Sequence, residues 1–177
     1  AVLAAGPLEQ GDQGLGRVAV AARGLGEAVA DPHGARVVGL AVEPGGAEQR
    51  ELAQVPHDLV IDRCYDHGDD QLGQKRGIAL NSAHTQILNS YIAGIRLAGQ
   101  ESQAIACWNG PGPFLIENNY IEAGAIGLLF GGAVPAIDQL VPADIVIRRN
   151  HIVRPVSWRG GPWMVKNLLE FKNARNV

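Results

Sequence analysis

Apolar residues recur along the second half of this chain in short segments that share one pattern. Each segment has an apolar residue, two variable positions, an Asn or a polar substitute, one variable position and a second apolar residue. The four segments begin at Val60, Ile87, Ile116 and Ile147, at intervals of 27, 29 and 31 residues. Intervals of this length are typical of solenoid proteins, in which each repeat stacks on the next. The pattern therefore predicts a repeat fold.

Each segment is predicted to form a strand, a tight turn and a second short strand, because Asn, Asp and Ser favour such turns. Further apolar strands are predicted between the segments, at Gly77–Asn81, Gln103–Cys107 and Ile126–Phe130. The sequence has no long run with the three- and four-residue apolar spacing of an amphipathic helix. Gly and Pro also interrupt the chain every few residues. We therefore expect an all-β protein, a single-chain parallel β-helix.

The polar position of the repeat is expected to form a ladder along the stack. Aligning the four segments places Asn119 over Asn150, with Ser90 and Arg63 at the equivalent positions of the two earlier rungs. An Asn that recurs at a turn can hydrogen-bond to the rungs above and below it. The ladder is expected to be half intact, because two rungs carry Ser and Arg.

We expect residues 56–177 to form the regular rungs and residues 1–55 to form irregular N-terminal rungs or a cap. Arg36–Val42 is an apolar segment that we interpret as an earlier rung, and Leu25–Ala30 is an alternative single helical turn. At the other end, Asn173–Val177 resembles the start of a rung whose strand is missing. We therefore expect the natural protein to continue past Val177.

Composition narrows the possible partners. The chain has 15 Lys and Arg residues against 18 Asp and Glu residues, a net charge of −3, and it has no basic tract. This balance argues against a nucleic-acid partner. No uncharged apolar run reaches the length of a membrane span. The two Cys residues, Cys64 and Cys107, are expected to be packing residues rather than a disulfide framework.

The densest polar cluster, Asp66, His67, Asp69 and Asp70, is expected in the loop after the first rung. Asp69 and Asp70 offer the oxygen ligands that suit a hard cation such as Ca²⁺. A carboxylate beside an imidazole is also suited to acid–base catalysis, which makes Asp66, His67 and Asp69 catalytic candidates. The alternative is a charged, solvated loop without a chemical role.

Aromatic residues supply candidates for substrate binding. Tyr91, Tyr120 and His151 follow the turn in three consecutive rungs, so we expect them to form a stacked column. Such a column, together with Trp108, would offer apolar surface to a sugar. The alternative is that the rings only stabilise the stack, since aromatic neighbours contribute about 0.5–1.5 kcal/mol beyond their burial.

Glu117 and Arg148 are predicted to face outward on neighbouring rungs. Neighbouring rungs lie roughly 4.8 Å apart, so the two side chains can form an ion pair. An exposed pair of this kind contributes at most about 1 kcal/mol. Structural pairing is therefore one interpretation of these two residues.

Several motifs resemble the bacterial right-handed parallel β-helix repeat proteins with a pectate-lyase-like fold. The similarity covers roughly residues 56–177, and its most specific part is the loop Trp108–Phe114, with sequence Trp-Asn-Gly-Pro-Gly-Pro-Phe. The other segments that carry it are Asp62–Asp69, Arg76–Ser82, Ser102–Ile105, Phe130–Ala133 and Arg148–His151. The resemblance implies a right-handed β-helix, a secreted or periplasmic location and a polysaccharide or cell-surface glycan as partner. It also implies that the outward face of the Glu117 strand is a substrate groove, which adds Glu117 and Arg148 to the catalytic candidates.

Three functions remain open after these steps. The first is an extracytoplasmic domain that cleaves polysaccharide as a lyase or hydrolase, with Ca²⁺ as a candidate cofactor. The second is a noncatalytic carbohydrate- or surface-binding module that uses the aromatic column. The third is a structural or adhesive solenoid. A fold alone does not decide among them.

Overall fold

The structure is a computed structural model that describes the backbone of residues 29–31 and 34–38 and the whole of residues 49–177. The described part contains fourteen strands and three short 3₁₀ turns, at Leu52–Gln54, Asp138–Leu140 and Val156–Trp158, and it contains no α-helix. Within these residues, no helix has the length and apolar character needed to span a membrane.

The strands form three sheets. Sheet 1 contains β3 (His57–Asp62), β6 (Ala83–Leu88), β9 (Phe114–Glu117) and β12 (Ile145–Arg148). Sheet 2 contains β1 (Val29–Asp31), β2 (Gly34–Val38), β4 (Tyr65–His67), β7 (Tyr91–Ile95), β10 (Tyr120–Ala123) and β13 (His151–Val153). Sheet 3 contains β5 (Arg76–Ala79), β8 (Gln103–Cys107), β11 (Ile126–Phe130) and β14 (Leu169–Phe171).

From β3 onward the chain visits sheets 1, 2 and 3 in the same order four times, and each passage is called a coil. Each strand of coils 1 to 3 pairs in parallel with the equivalent strand of the next coil. The result is a parallel β-solenoid of about three turns, as predicted. All three strand predictions between the repeat segments are confirmed, as β5, β8 and β11.

The core runs along the inside of the coils as stacked columns of equivalent side chains. On sheet 1, Ile61, Ile87, Ile116 and Ile147 stack in register, and the first three are almost fully buried. Burying an aliphatic side chain of this size stabilises the fold by about 1.5–3 kcal/mol. Both cysteines are buried and free, with Cys107 fully enclosed, so their expected packing role is confirmed.

A sharp corner joins sheet 1 to sheet 2 in every coil. The corner residues Arg63, Asn89, Asn118 and Arg149 all have left-handed backbone angles, with φ between 48° and 57°. Asn adopts this conformation more readily than most residues because its short polar side chain can hydrogen-bond locally. The two Asn corners are also linked, since Asn118 Nδ2 donates to Asn89 Oδ1 at 2.8 Å.

The predicted polar ladder lies directly after this corner. The backbone amide of Ser90 donates to Asn119 Oδ1 at 2.8 Å, and the Asn119 amide donates to Asn150 Oδ1 at 3.0 Å. Asn119 Nδ2 also donates to the carbonyl of Ile87 at 2.9 Å. The ladder therefore satisfies buried backbone groups that the turn leaves without a strand partner.

The predicted register of the first coil is wrong by one residue. Ile61, not Val60, pairs with Ile87, so the first interval is 26 residues and not 27. The ladder position of coil 1 is consequently Cys64, whose backbone amide donates to Ser90 Oγ at 3.1 Å, and Arg63 occupies the preceding left-handed corner. The physical reason is that the alternating strand must turn Ile61 inward, and a shift of one residue reverses every side chain.

The two ends of the chain bear on the remaining fold predictions. β2 pairs in parallel with β4, as an earlier rung would, while the rest of residues 1–48 lies outside the described residues except for β1. β1 includes Val29 and Ala30, which the alternative helical turn would have contained. At the other end, the backbone of Arg175 bridges that of Ala143, at the start of the next coil position.

Candidate functional site

The acidic cluster predicted in the first loop is divided between a strand and a turn. Asp66 lies in β4, where its side chain is 4% exposed and occupies the interior column of sheet 2, in register with Ile92. Neither of its carboxylate oxygens has a hydrogen-bond partner. Burial raises the pKa of Asp66 to about 8. This predicted catalytic residue is thus enclosed by the coil and does not face a substrate.

The other members of the cluster have structural partners. The His67 ring is half-buried against Gly94, and its Nδ1 contacts the carbonyl of Gly68. Asp69 Oδ1 accepts hydrogen bonds from the amides of Gln71 and Leu72, which hold the pKa of Asp69 below its usual value. These bonds stabilise a turn.

Asp70, the second predicted Ca²⁺ ligand, forms an ion pair with Arg96 at 2.9 Å. Arg96 also packs over the rings of Trp158 and Trp163, at 4.6 Å and 5.0 Å from the ring centroids. The described residues contain no group of three or more His, Cys, Asp or Glu side chains placed to hold a metal ion. Asp69 and Asp70 therefore stay a predicted site without a third ligand of these types.

The predicted aromatic column is present on the outer face of sheet 2. Tyr91 and Tyr120 stack with ring centroids 4.3 Å apart and planes 3° from parallel, and Tyr120 stacks on His151 at 5.5 Å. Tyr65 extends the column by one coil, at 5.3 Å from Tyr91. The sequence alignment missed Tyr65 because of the register error in coil 1. An alignment on the aromatic residues would have found it.

Stacking changes what this column can present to a ligand. Because neighbouring rings lie nearly parallel, their faces largely cover one another along the solenoid axis. A sugar packs its apolar side against an exposed ring face, whereas this column offers ring edges and hydroxyl groups. Tyr120 is further engaged, since its hydroxyl donates to Glu122 Oε2 at 2.9 Å. The contacts favour the stabilising role that the sequence left as the alternative.

The predicted ion pair between Glu117 and Arg148 is confirmed. Arg148 Nε and Nη2 donate to Glu117 Oε2 at 2.9 Å and 2.8 Å, and Arg149 contacts the second carboxylate oxygen. Glu117 therefore faces two guanidinium groups from the next coil. Its carboxylate is already paired, so it offers little as a base or nucleophile in this arrangement.

A pocket of about 430 Å³ opens on the outer face of sheet 3. Its lining includes Trp108, together with Arg76 from coil 1, Gln103 from coil 2 and Lys172 after coil 4. The Arg76 guanidinium lies 4.5 Å from the centre of a Trp108 ring, within the range of a cation–π contact. We call this the Trp108 pocket. It combines an aromatic side chain with polar groups from several coils.

One buried polar atom among the residues of the Trp108 pocket, the side-chain oxygen of Gln103, lacks a hydrogen-bond partner. Gln103 is 4% exposed, and its Oε1 accepts no hydrogen bond. Its Nε2 donates to the backbone carbonyl and the carboxylate of Glu101, which fixes the orientation of the amide. A buried acceptor without a donor costs free energy. Because this oxygen has less than 1 Å² of exposed surface, a ligand can reach it only where the side chains around it move.

The charges of the Trp108 pocket are predominantly positive. Lys75, Arg76 and Lys172 line it, and Glu101 is the one carboxylate among the described lining residues. Lys166 donates to Glu101 at 2.8 Å, and this hydrogen bond holds the pKa of Glu101 below its usual value. Glu101 is therefore an anion near neutral pH and is not suited to donate a proton.

Among the residues that line this pocket, Trp108 is the one that the sequence predicts as a site residue. Arg76, Gln103 and Lys172 are separated by up to 96 positions along the chain, and only the stacking of coils brings them together. A correct register would have placed Arg76 beside Gln103, since the two residues pair between β5 and β8.

Comparison with known proteins adds no relative. The chain matches no protein-family model, no curated protein and no solved structure at a significant level. The architecture of a parallel β-solenoid therefore rests on the strand pairing itself.

Proposed function

We propose that this solenoid is an extracytoplasmic domain that binds an acidic polysaccharide in the Trp108 pocket. The observation that carries the proposal is the grouping of Trp108 with three cationic side chains, Lys75, Arg76 and Lys172, in one pocket. A polysaccharide supplies an apolar ring side for the Trp and carboxylates for the cations. Each chemical feature of the pocket then has a counterpart in one ligand.

The shape of the solenoid supports a chain-like ligand. The lining residues come from successive coils, so the pocket extends along the axis and not around one loop. Equivalent positions recur roughly every 4.8 Å in parallel strands, which is about the length of one sugar residue. A ligand made of repeated units is therefore matched by a surface made of repeated units.

Binding is favoured over hydrolysis by the carboxylates of the pocket. Glycoside hydrolysis usually needs two carboxyl groups on opposite sides of the scissile bond. Here Glu101 is alone among the described lining residues and is paired with Lys166. The predicted candidates Asp66 and Glu117 are respectively buried and paired, so neither supplies the second group.

Titration with polygalacturonate, alginate and neutral dextran, followed by calorimetry and thermal shift with and without Ca²⁺, tests the proposal. We expect the acidic polymers to bind and dextran to bind weakly. Lys75→Glu should lower affinity about fivefold, the upper range for an exposed ion pair. Arg50→Glu makes the same charge change at an exposed position outside the pocket and should have no effect.

A second variant separates binding from general charge attraction. Trp108→Leu removes the aromatic face of the pocket without changing charge, and it should weaken binding while preserving the fold. Equal binding by the wild type, Lys75→Glu and Trp108→Leu would contradict the proposal. Release of unsaturated or reducing-end products would instead establish a lyase or hydrolase.

A further inference from the structure

A second groove, on the outer face of sheet 1, has chemistry opposite to that of the Trp108 pocket. It encloses about 490 Å³ between the residue columns of the four coils. Its floor is formed by Val60, Leu115 and Val146, which stand in one outward column with Gln86. Val146 is 47% exposed. We call this surface the Val146 groove.

Two carboxylates stand along one wall of the Val146 groove. Strand register places Asp58, His84 and Asp144 in a single column, with Asp58 in coil 1 and Asp144 in coil 4. Both acidic side chains are exposed, and neither forms an ion pair with a Lys or Arg in the described part of the chain. Asp144 and Asp58 therefore offer negative charge to a ligand, although both oxygens of Asp58 also contact a histidine ring, His57 or His84.

Hydrogen bonds keep Asp58 ionised, and Asp144 has a single side-chain hydrogen-bond donor next to it among the described residues. Hydrogen bonds from His57 and His84 hold the pKa of Asp58 below its usual value. Asp144 Oδ1 accepts one hydrogen bond, from Asn176 Nδ2 at 2.9 Å. On the opposite wall, Arg148 is paired with Glu117, which it shares with Arg149. The groove thus combines an apolar floor with a negative wall.

The spacing of the two carboxylates defines the ligand further. Three rung spacings of roughly 4.8 Å separate their coils, or about 14 Å. An extended peptide rises about 3.4 Å per residue, so residues i and i+4 lie about 14 Å apart and point to the same side. The side chain at i+2 then falls between them, over the apolar floor.

We propose that the Val146 groove binds an extended peptide segment with basic side chains at positions i and i+4 and an apolar side chain at i+2. The basic groups pair with Asp58 and Asp144, and the apolar side chain lies between coils 2 and 3, over Leu115 and the neighbouring Gln86. This function is independent of the glycan site, because the two surfaces lie on different sheets and share no lining residue.

Fluorescence anisotropy with the labelled peptide Lys-Thr-Leu-Thr-Lys tests this proposal, using protein up to millimolar concentration. The control peptide Lys-Thr-Leu-Lys-Thr has the same composition but places its basic groups at i and i+3. We expect the first peptide to bind at least about threefold more tightly than the control peptide. Its affinity should fall when NaCl is added.

Variants locate the binding surface. Asp58→Asn and Asp144→Asn should each weaken binding about two- to fivefold. Both preserve the left-handed backbone, since Asn adopts it at least as readily as Asp. Asp138→Asn removes the same charge from an exposed position outside the groove and should change nothing. Circular dichroism checks that each variant is folded.

Three results of the peptide titrations would overturn the proposal. They are absence of peptide binding, equal affinity for the two peptides, and binding unaffected by both groove variants. Displacement of the peptide by a neutral oligosaccharide would assign the groove to a glycan and also reject it. Loss of acidic-polysaccharide binding in the Trp108 pocket variants has no bearing on these results, so the two proposals fail separately.

Discussion

The outward and inward columns of sheet 2 lie on the same strands but differ in regularity. Outward, Tyr65, Tyr91, Tyr120 and His151 stack without interruption through all four coils. Inward, the equivalent column holds isoleucine in coils 2 to 4, whereas coil 1 has Asp66 in the interior. The exposed column is thus chemically uniform, and the buried column is not.

This difference shows how a repeat protein can distribute its stability. A buried carboxyl without partners is costly, so the interior contact between coils 1 and 2 is weaker than the contact between coils 2 and 3. The aromatic rings cross the same junction on the outside. Since each coil contacts mainly its neighbours, a local weakness stays local, and the outer column adds one ring stack across the same junction.

The largest expected effect comes from the regular part of the inward column. Ile121→Ala removes a fully buried side chain and should lower the free energy of unfolding by about 4 kcal/mol. Ile152→Ala, at the partly buried position of coil 4, should cost about half as much. Urea unfolding followed by circular dichroism measures both. Equal losses would mean that the contribution of these isoleucines to stability does not depend on how deeply each one is buried.

The irregular position should make stability depend on pH. The pKa of Asp66 is about 8 in the folded protein and near 3.8 when unfolded, so the folded state holds the proton more tightly. Stability is greatest below pH 3.8 for this group and falls as pH rises, until it levels off above pH 8. We expect a loss of about 1.4 kcal/mol per pH unit between pH 5 and 7.5.

Asp66→Asn is the control for that pH dependence, because it keeps the shape of the side chain and removes the titration. Its unfolding free energy should be nearly constant across the same pH range in urea titrations. If the wild type and the variant share one pH slope, Asp66 is not the group responsible.

The ladder between the two columns should have an intermediate effect. Asn119→Ala leaves the amide of Ser90 and the carbonyl of Ile87 without their partners and should cost about 2–3 kcal/mol. Asn118→Gly removes an exposed amide from the neighbouring left-handed corner and should change stability by less than about 0.5 kcal/mol. Thermal unfolding of both variants compares them, and similar midpoints would argue against a role for the ladder.

The smallest effect is expected from the outward column. Tyr91→Leu keeps apolar bulk but removes two ring stacks, so it should cost about 1 kcal/mol. His151→Leu, at the end of the column, removes one stack and should cost less. Urea unfolding gives the energies, and near-ultraviolet circular dichroism reports the loss of ring coupling. A Tyr91→Leu variant as stable as the wild type would show that the column adds nothing to coil contacts.

The fold could be predicted because each coil repeats the same requirements. Apolar residues that face inward and a left-handed corner recur in all four coils, and two coils add an Asn whose side chain bonds to the preceding coil, so the pattern is visible without coordinates. The register of coil 1 could not be fixed in the same way. Val60 and Ile61 are both apolar, and hydrophobicity alone does not say which one turns inward.

The candidate sites were harder to predict because chemistry depends on which side of a strand a residue occupies. Asp66 and His67 are neighbours in sequence, yet the strand buries the carboxylate of Asp66 and leaves the His67 ring partly exposed. Arg76, Gln103 and Trp108 converge only after two coils have stacked. Burial and convergence are properties of the folded chain, and a local motif carries no signal for them.

The coil-by-coil pairing also defines a mechanical property. Hydrogen bonds between parallel strands run along the solenoid axis, so a force along that axis separates coils one after another. Ile87 and Ile116 are equivalent positions, so one coil at this point contains 29 residues. Each detached coil would extend to about 100 Å, whereas the folded coil occupies one rung spacing along the axis. Under tension this protein would lengthen in discrete steps, one for each coil that detaches.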